Sequence, residues 1–326
     1  MERTYAVVLA AGKGTRMKSD LPKVLHPVCG KPMVEHITDL LKDLSMNEIV
    51  TVVGHKHEMI EEQLGDSVTY AHQKEQLGTA HAVGMSAEKL ADQEGTTVIV
   101  TGDTPLITSQ TIQNLLDHHR ETKAAATILT MLPEDPTGYG RIVRNEDGNV
   151  ERIVEQKDAT PEEQAIGEVN TGIFCFDNKL LFESLDQVGT NNNQSEYYLP
   201  DVIEILKEQG YTISANSTED VAEGLGVNDR IQLAKAEKIM QDRIIEGHMK
   251  NGVSFVDPST SYVEKDVTIG QDTLIEPRAH LRGKTVIGSY CVIGPDVDLK
   301  DFEARDKTRV QNFSMTNDIC KIPIHS

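Results

Sequence analysis

Seven aliphatic residues recur at six-residue intervals late in the chain: Val263, Ile269, Ile275, Leu281, Ile287, Ile293 and Leu299. A period of six with small or polar residues between fits a parallel β-helix. Each aliphatic then points into a narrow prism, and the neighbouring coil supplies the hydrogen bonds. The alternative, a chance run of valines and isoleucines in hairpins, is disfavoured by the evenness of the spacing. At roughly eighteen residues per three-sided coil, the stretch amounts to about two coils. After Leu299 no period is readable in DFEARDKTRVQNFSMTNDICKIPIHS. Residues 301–326 are therefore read as a non-repeat tail from a truncated or frame-shifted end, behind a coil with an exposed strand edge.

The first two thirds follow another rule. Short apolar runs at Tyr5–Ala10, Glu48–Val53, Val68–Ala71, Thr96–Thr101, Ala125–Met131 and Gly172–Phe176 alternate with helical patterns at Pro32–Asp43, Gly78–Leu90 and Ser109–Arg120. This alternation predicts an α/β fold, Rossmann-like, with a mixed, mainly parallel sheet. Ligands of such sheets collect at the carboxyl ends of the strands, so the loops after Leu9, Val53 and Thr101 are the expected site. The expected boundaries are 1–228 for this domain, 229–251 for a linker helix with Gly252 past its end, 252–300 for the short β-helix, taken as left-handed, and 301–326 for the tail.

The formal net charge of −20 disfavours nucleic acid and anionic membrane as partners. The first 31 residues run the other way, with Arg3, Lys13, Arg16, Lys18, Lys23 and Lys31 against Glu2 and Asp20. A cationic island in an acidic protein suits a small polyanion. Cys29, Cys175, Cys291 and Cys320 form no CxxC pair, so reduced thiols and a cytoplasmic location are expected. The N-terminus lacks the layout of a signal peptide, and its apolar run is too short to span a membrane. His26, His36, His55 and His57 show no spacing with carboxylates that suggests a metal, and are read as surface or packing residues.

After the first strand comes Ala10-Ala11-Gly12-Lys13-Gly14-Thr15-Arg16, then Leu21-Pro22-Lys23. Glycines let backbone N–H groups approach phosphate oxygens, and Lys13, Arg16 and Lys23 can neutralise a triphosphate. The Walker pattern GxxxxGK[ST] is absent. The dinucleotide fingerprint fails because Met17 stands at its third glycine. A bare GxG is otherwise compatible with any tight turn.

The longer string Leu9-Ala10-Ala11-Gly12-x-Gly14-Thr15-Arg16-Met17 with Pro22-Lys23 resembles the sugar-nucleotide pyrophosphorylases. With Gln73–Ala82, Gly102–Leu106, Thr137–Ile142, Glu155–Asp158 and Glu168–Gly172, the chain resembles, over residues 4–299, the bacterial bifunctional N-acetylglucosamine-1-phosphate uridyltransferase and glucosamine-1-phosphate acetyltransferase family. The resemblance implies in-line transfer of UMP from UTP to N-acetylglucosamine 1-phosphate, with Mg2+ and release of pyrophosphate, for cell-wall and lipopolysaccharide precursors. It implies nucleotide contacts at Leu9, Ala10, Ala11, Gly12, Lys13, Lys23, Gln73, Gly78 and Thr79. It also implies Arg16 and Lys23 as the catalytic cations, Gly140, Glu155, Asn170, Thr171 and Asn228 as substrate-binding residues, and Asp103 and Asn228 as the metal ligands. On the residues alone, Asp103 is also readable as a turn residue, Gly78-Thr79 as a cap, Glu155 as a solvated carboxylate and Asn228 as a helix N-cap. The family forms homotrimers through a longer β-helix, whose acetyl-transfer residues fall beyond the coils read here, so loss of acetyl transfer is expected. The alternatives are another sugar phosphate and an inactive sugar-nucleotide binding module.

Overall fold

The structure, a computed structural model, describes residues 3–311 and the backbone of Met315–Thr316. It divides into two compact units. One comprises residues 1–26 and 33–232; the other comprises Pro27–Pro32 and the chain from Leu233 onward.

The first unit is built on nine strands: β1 (Thr4–Ala10), β2 (Glu48–Val53), β3 (Thr69–His72), β4 (Thr96–Thr101), β5 (Ala126–Met131), β6 (Arg141–Arg144), β7 (Val150–Val154), β8 (Val169–Asp177) and β9 (Ile213–Ser217). The order is β9-β5-β8-β4-β1-β2-β3, with β6 and β7 as a hairpin attached to β8. Contiguous apolar residues mark the central strands because both faces are covered: Ala6, Val7 and Val8 of β1 and Val98, Ile99 and Val100 of β4 are fully buried. β1 runs parallel to β2 and β4, and β2 to β3. β8 runs antiparallel between β4 and β5, with a register shift between Asn170 and Phe174. Its first residues therefore lie at the edge where the parallel strands end: Asn170 stands opposite Thr130. The mixed, mainly parallel sheet is as expected.

Helix α1 (Met33–Asp43) turns Val34, Ile37 and Leu41 inward at helical spacing. α2 (His57–Leu64) follows β2, and α3 (Thr79–Gly84) follows β3. Expected as one helix, Gly78–Leu90 breaks at Met85–Ser86 into α3 and a second short turn. α4 (Ser109–Thr122) is capped by Thr108, whose hydroxyl accepts from the Thr111 N–H at 3.2 Å. α5 (Asp201–Glu208) lies beyond the expected elements, as do the β6–β7 hairpin and β9.

In the second unit, α6 (Arg230–Lys250, its first turn belonging to the other unit) leads into the coil. Two-residue and three-residue strands stack in three parallel sheets. Val263, Ile275, Leu281, Ile287, Ile293 and Leu299 are fully buried, as a prism core requires. The expected end at residue 300 is corrected. Strands Glu303–Ala304 and Arg309–Val310 pair with Val286–Ile287 and Val292–Ile293, and Met315–Thr316 pairs with Asp298–Leu299. Two sheets have four strands and one has three, so the stack is nearly four coils high instead of two.

The register explains why the period is lost to the eye. Thr268 pairs with Val286, 18 residues on, but Val286 pairs with Glu303, 17 residues on. One turn has lost a residue, and the left-handed corner residue after Asp296 comes five positions later, at Asp301. The next inward position holds the small Ala304, with Phe302 buried beside it. The run of repeats thus continues, out of phase by one, to Val310; residues 312–314 and 317–326, with Cys320, lie outside the described residues.

Candidate functional site

Three side chains separated by 205 positions of sequence meet at the ends of β1 and β4. Lys23 Nζ donates to Asp103 Oδ2 in a short charged hydrogen bond and to Asn228 Oδ1 at 3.0 Å. The Lys23 and Asp103 side chains are only 16% and 14% exposed. Each is placed by local chemistry. The chain leaves β1, turns through Gly14 and returns as Lys23; a Cβ on Gly14 would lie 2.5 Å from the Lys23 Cβ, and its φ of +59° also favours glycine. Asp103 sits in the turn after β4, fixed where the Thr104 hydroxyl donates to the Thr101 carbonyl at 2.8 Å. Asn228 is brought up by the hydrogen bond from Val227 N–H to the Asp103 carbonyl at 2.8 Å.

The N-cap reading of Asn228 is corrected. Asp229 Oδ1 accepts from the N–H groups of Ile231 and Gln232, at 2.9 and 2.8 Å, and so caps α6. Asn228 is thereby released to face Lys23. A carboxylate oxygen and an amide oxygen converging on one ammonium are a hard-oxygen donor pair already holding a cation, and they fit a divalent metal that keeps its other ligands from water and phosphate. Burial, then the negative field of Asp103, pushes the Tyr139 phenol up from the ordinary tyrosine value, so it stays neutral.

The glycine loop and the β3–α3 connection form the neighbouring part of the edge. Ala10 and Ala11 are buried, whereas Gly12, Lys13 and Arg16 are exposed. Leu9 contributes its carbonyl to the Gly102 N–H at 2.9 Å, which ties the glycine loop to the turn that carries Asp103. Gln73 is 3% exposed; its Nε2 donates to the Gly78 carbonyl at 3.1 Å and meets His81 Nδ1 at 3.0 Å. Thr79 Oγ1 accepts from the Leu199 N–H at 2.9 Å, so part of its role is to fix the loop before α5.

The third part is acidic. A side chain at Gly140 would crowd its neighbours, since a Cβ there would lie 3.0 Å from Ile153 Cγ2 and 3.2 Å from Glu155 Oε1. Its carbonyl accepts from the Asn170 N–H at 2.8 Å, and Asn170 Oδ1 accepts from the Gly172 N–H at 2.9 Å. Thr171 turns its side chain inward: the hydroxyl donates to the Leu129 carbonyl at 2.7 Å and accepts from Ile173 N–H, so only its backbone is left for a ligand. Burial, then Asp158 and Asp201, raises the Glu155 pKa above the usual carboxylate range, against a lowering by Arg141. Asp201, in the first turn of α5, is pushed up to about 6 by burial, Glu204 and Asp158. Asp158 Oδ2 is buried without a hydrogen-bond partner among the described residues. Arg141, 1% exposed, holds the Tyr139 carbonyl and donates to Gln156 Oε1 at 2.8 Å.

Sequence reading passed over Tyr139, Arg141, Asp158 and Asp201 as site residues. The first three lie inside the strings that carry the family resemblance; Asp201 had no local signal. The reading of the histidines is also corrected. His57 has a carboxylate one helical turn on, Glu61, and His72 at the end of β3 reaches the same group.

No helix among the described residues is long and apolar enough to cross a membrane. The model of the nucleotidyl transferase family matches residues 5–221, and that of the bacterial transferase hexapeptide matches residues 266–297. The chain is 56% identical over 301 residues to the bifunctional protein GlmU of Enterococcus faecalis, covering 92% of this chain and 66% of that one. To the bifunctional protein GlmU of Halalkalibacterium halodurans it is 54% identical over 317 residues, covering 97% and 70%. It thus spans about two thirds of the length of these curated relatives. Among solved structures it is similar to a putative glucose-1-phosphate thymidylyltransferase from Bacillus anthracis, with a TM-score of 0.59 at 20% identity, covering 73% of this chain and 96% of that one; this likeness shows the fold. A nucleotidyltransferase of this family takes a nucleotide and a sugar phosphate and works with a divalent metal, and the chain belongs to it, in the group of the GlmU proteins.

Proposed function

We propose that the first unit transfers UMP from UTP to N-acetylglucosamine 1-phosphate, with Mg2+ at Asp103 and Asn228. The observation that carries this reading is the convergence of Lys23, Asp103 and Asn228 at the strand ends, beside the glycine loop. A sugar 1-phosphate is an anionic nucleophile at neutral pH, so no general base is needed. One phosphate oxygen attacks the α-phosphorus of UTP, the bond from that phosphorus to the bridging oxygen breaks, and pyrophosphate leaves with the electron pair.

Bound Mg2+ supplies charge neutralisation between the two polyanions. The chain's own residues do the rest. Lys23, with Lys13 and Arg16 from the exposed loop, neutralises the triphosphate and the leaving group, while backbone N–H groups of Ala11 and Gly12 hold phosphate oxygens. Leu9 and Ala10 shape the floor, and Gly78 and Thr79 present the start of α3 to the nucleotide. The Gln73 amide nitrogen is engaged with Gly78 and His81, so Gln73 offers a base its carbonyl oxygen. That acceptor suits the N3–H of uracil and not the unprotonated N3 of cytosine. Glu155 and Asp158 accept from sugar hydroxyls. Asn170 and Gly140 position the N-acetyl group with the backbone of Thr171.

The second unit is the kind of coil through which this family assembles, and we assign the chain a homotrimer. The described thiols, all buried and unpaired, suit a reducing cytoplasm. Release of pyrophosphate, followed with each nucleoside triphosphate and sugar phosphate in turn, tests the specificity. UTP with N-acetylglucosamine 1-phosphate is expected to be turned over fastest, and only with a divalent metal; equal rates with other pairs would overturn the assignment. The same preparation given acetyl-CoA and glucosamine 1-phosphate reads the second activity separately, with none expected.

A further inference from the structure

We propose that His57, Glu61 and His72 form a binding site for a divalent transition-metal ion of the zinc class, separate from the Lys23–Asp103–Asn228 position. His57 and Glu61 lie one turn apart on α2, so both side chains leave the same face. The parallel pairing of β2 and β3 sets His72 opposite Val53, at the strand ends from which α2 departs. The three meet on one atom: Glu61 Oε1 is 3.0 Å from His57 Nδ1 and 2.8 Å from His72 Nε2. The two rings stand edge to face with centroids 4.8 Å apart, and all three donor atoms lie within 4.8 Å of one another.

Ligands of a tetrahedral zinc ion at its usual bond lengths are separated by roughly 3.3–3.5 Å, so the set needs only small side-chain rotations to close on an ion. Two imidazoles and a carboxylate are a donor set that zinc accepts, with a fourth position left for water. That position has room. A cavity of about 320 Å³ adjoins the cluster, lined by Gly54, His57, His72, Gln73 and Gln76 among others. His57 also has an outer partner, since its Nε2 lies 3.4 Å from Glu58 Oε1. A carboxylate there favours the tautomer with the proton on Nε2, which frees the Nδ1 lone pair for metal. Hydrogen bonding alone explains why each ring approaches Glu61. It does not require the two rings to share one oxygen beside an open cavity and an outer carboxylate.

An ion here ties α2 to the last residue of β3, directly before Gln73. The test is titration of the full chain with ZnCl2, followed by calorimetry in saturating Mg2+, with Co2+ absorption as a second readout. One tight equivalent and a tetrahedral cobalt spectrum are expected. His57→Ala and His72→Ala are each expected to weaken zinc by tenfold or more, and Glu61→Gln comparably. Should His72→Ala fail to fold, His57→Gln reads the same ligand set from the helix. A zinc isotherm unchanged in any folded variant, or several weak equivalents in the parent chain, overturns the site. Since the readout is metal binding, this outcome is independent of which sugar phosphate the first unit uses.

Discussion

The two halves of the candidate site, one assigned to phosphate and the other to sugar, handle charge in opposite ways. On the phosphate side, one ammonium is held by a carboxylate and an amide oxygen, with further cations on an exposed loop. On the sugar side, Glu155, Asp158 and Asp201 crowd together, and two of the three have raised pKa values. Under the proposed function, cations at the first are matched by the incoming polyanion, and the acids at the second are relieved by donors such as sugar hydroxyls. A phosphate site can therefore be made from exposed residues on a glycine loop, while a hydroxyl site needs acceptors held against their own repulsion by packing, as around Arg141 here.

The largest expected effect sharpens the phosphate half. Asp103→Ala should lower kcat by about 10²–10³-fold or more, with the melting temperature little changed, and Lys23→Ala should act similarly. Steady-state kinetics with thermal melts separate this from unfolding. If either variant keeps its kcat and loses only affinity, the cluster binds ground-state substrate without acting on the transition state.

Next in size is Glu155→Gln, which removes a charged acceptor. A rise of about tenfold or more in KM for the sugar phosphate is expected, with KM for UTP unchanged. Equal changes in both constants would erase the division into two sides. Smaller still is Tyr139→Phe, expected to cost about three- to tenfold in kcat/KM through loss of a neutral hydroxyl that lies in the field of Asp103. An unchanged pH profile is expected with it, because the phenol is neutral throughout the working range.

The same two sides differ in how far they can be read before folding. Lys23 and Asp103 stand inside dense local strings, each after a strand, so their meeting follows from the rule that loops gather at strand ends. The fold class follows from the alternation of strands and helices for the same reason. Asn228 is harder, because two adjacent residues, Asn228 and Asp229, can both cap a helix and only the backbone decides which does. Asp201 is invisible locally: its pKa is raised first by burial, then by Glu204 on the same helix and by Asp158, 43 positions earlier, and the burial and the approach of Asp158 follow only from the packing of α5. The coil shows how small a change hides a regular structure. One residue lost from a turn and an Ala at the following core position conceal a stack that the strand pairing carries on unbroken. His72, likewise, meets Glu61 only through the β2–β3 register.

The smallest effect tests whether the acids are indeed strained. Asp201 rises from the ordinary 3.8 to about 6 in the folded chain. A raised carboxylate pKa means that folding favours the protonated form. The cost is absent below about pH 3.8, grows between there and about pH 6, and is full above it. Asp201→Asn should therefore stabilise the protein at pH 7.5 and do nothing near pH 3.5. Asp201 is half-buried, so solvent screening reduces the gain to on the order of 1 kcal/mol, and loss of a carboxylate from the first turn of α5 subtracts a few tenths more. A rise of roughly 2–4 °C in melting temperature is the corresponding signal for a unit of this size. A gain of equal size at both pH values would point to better packing by the amide. No gain at pH 7.5 would mean that the helix terminus already satisfies the charge, and the contrast between the two sides would then rest on Glu155 alone.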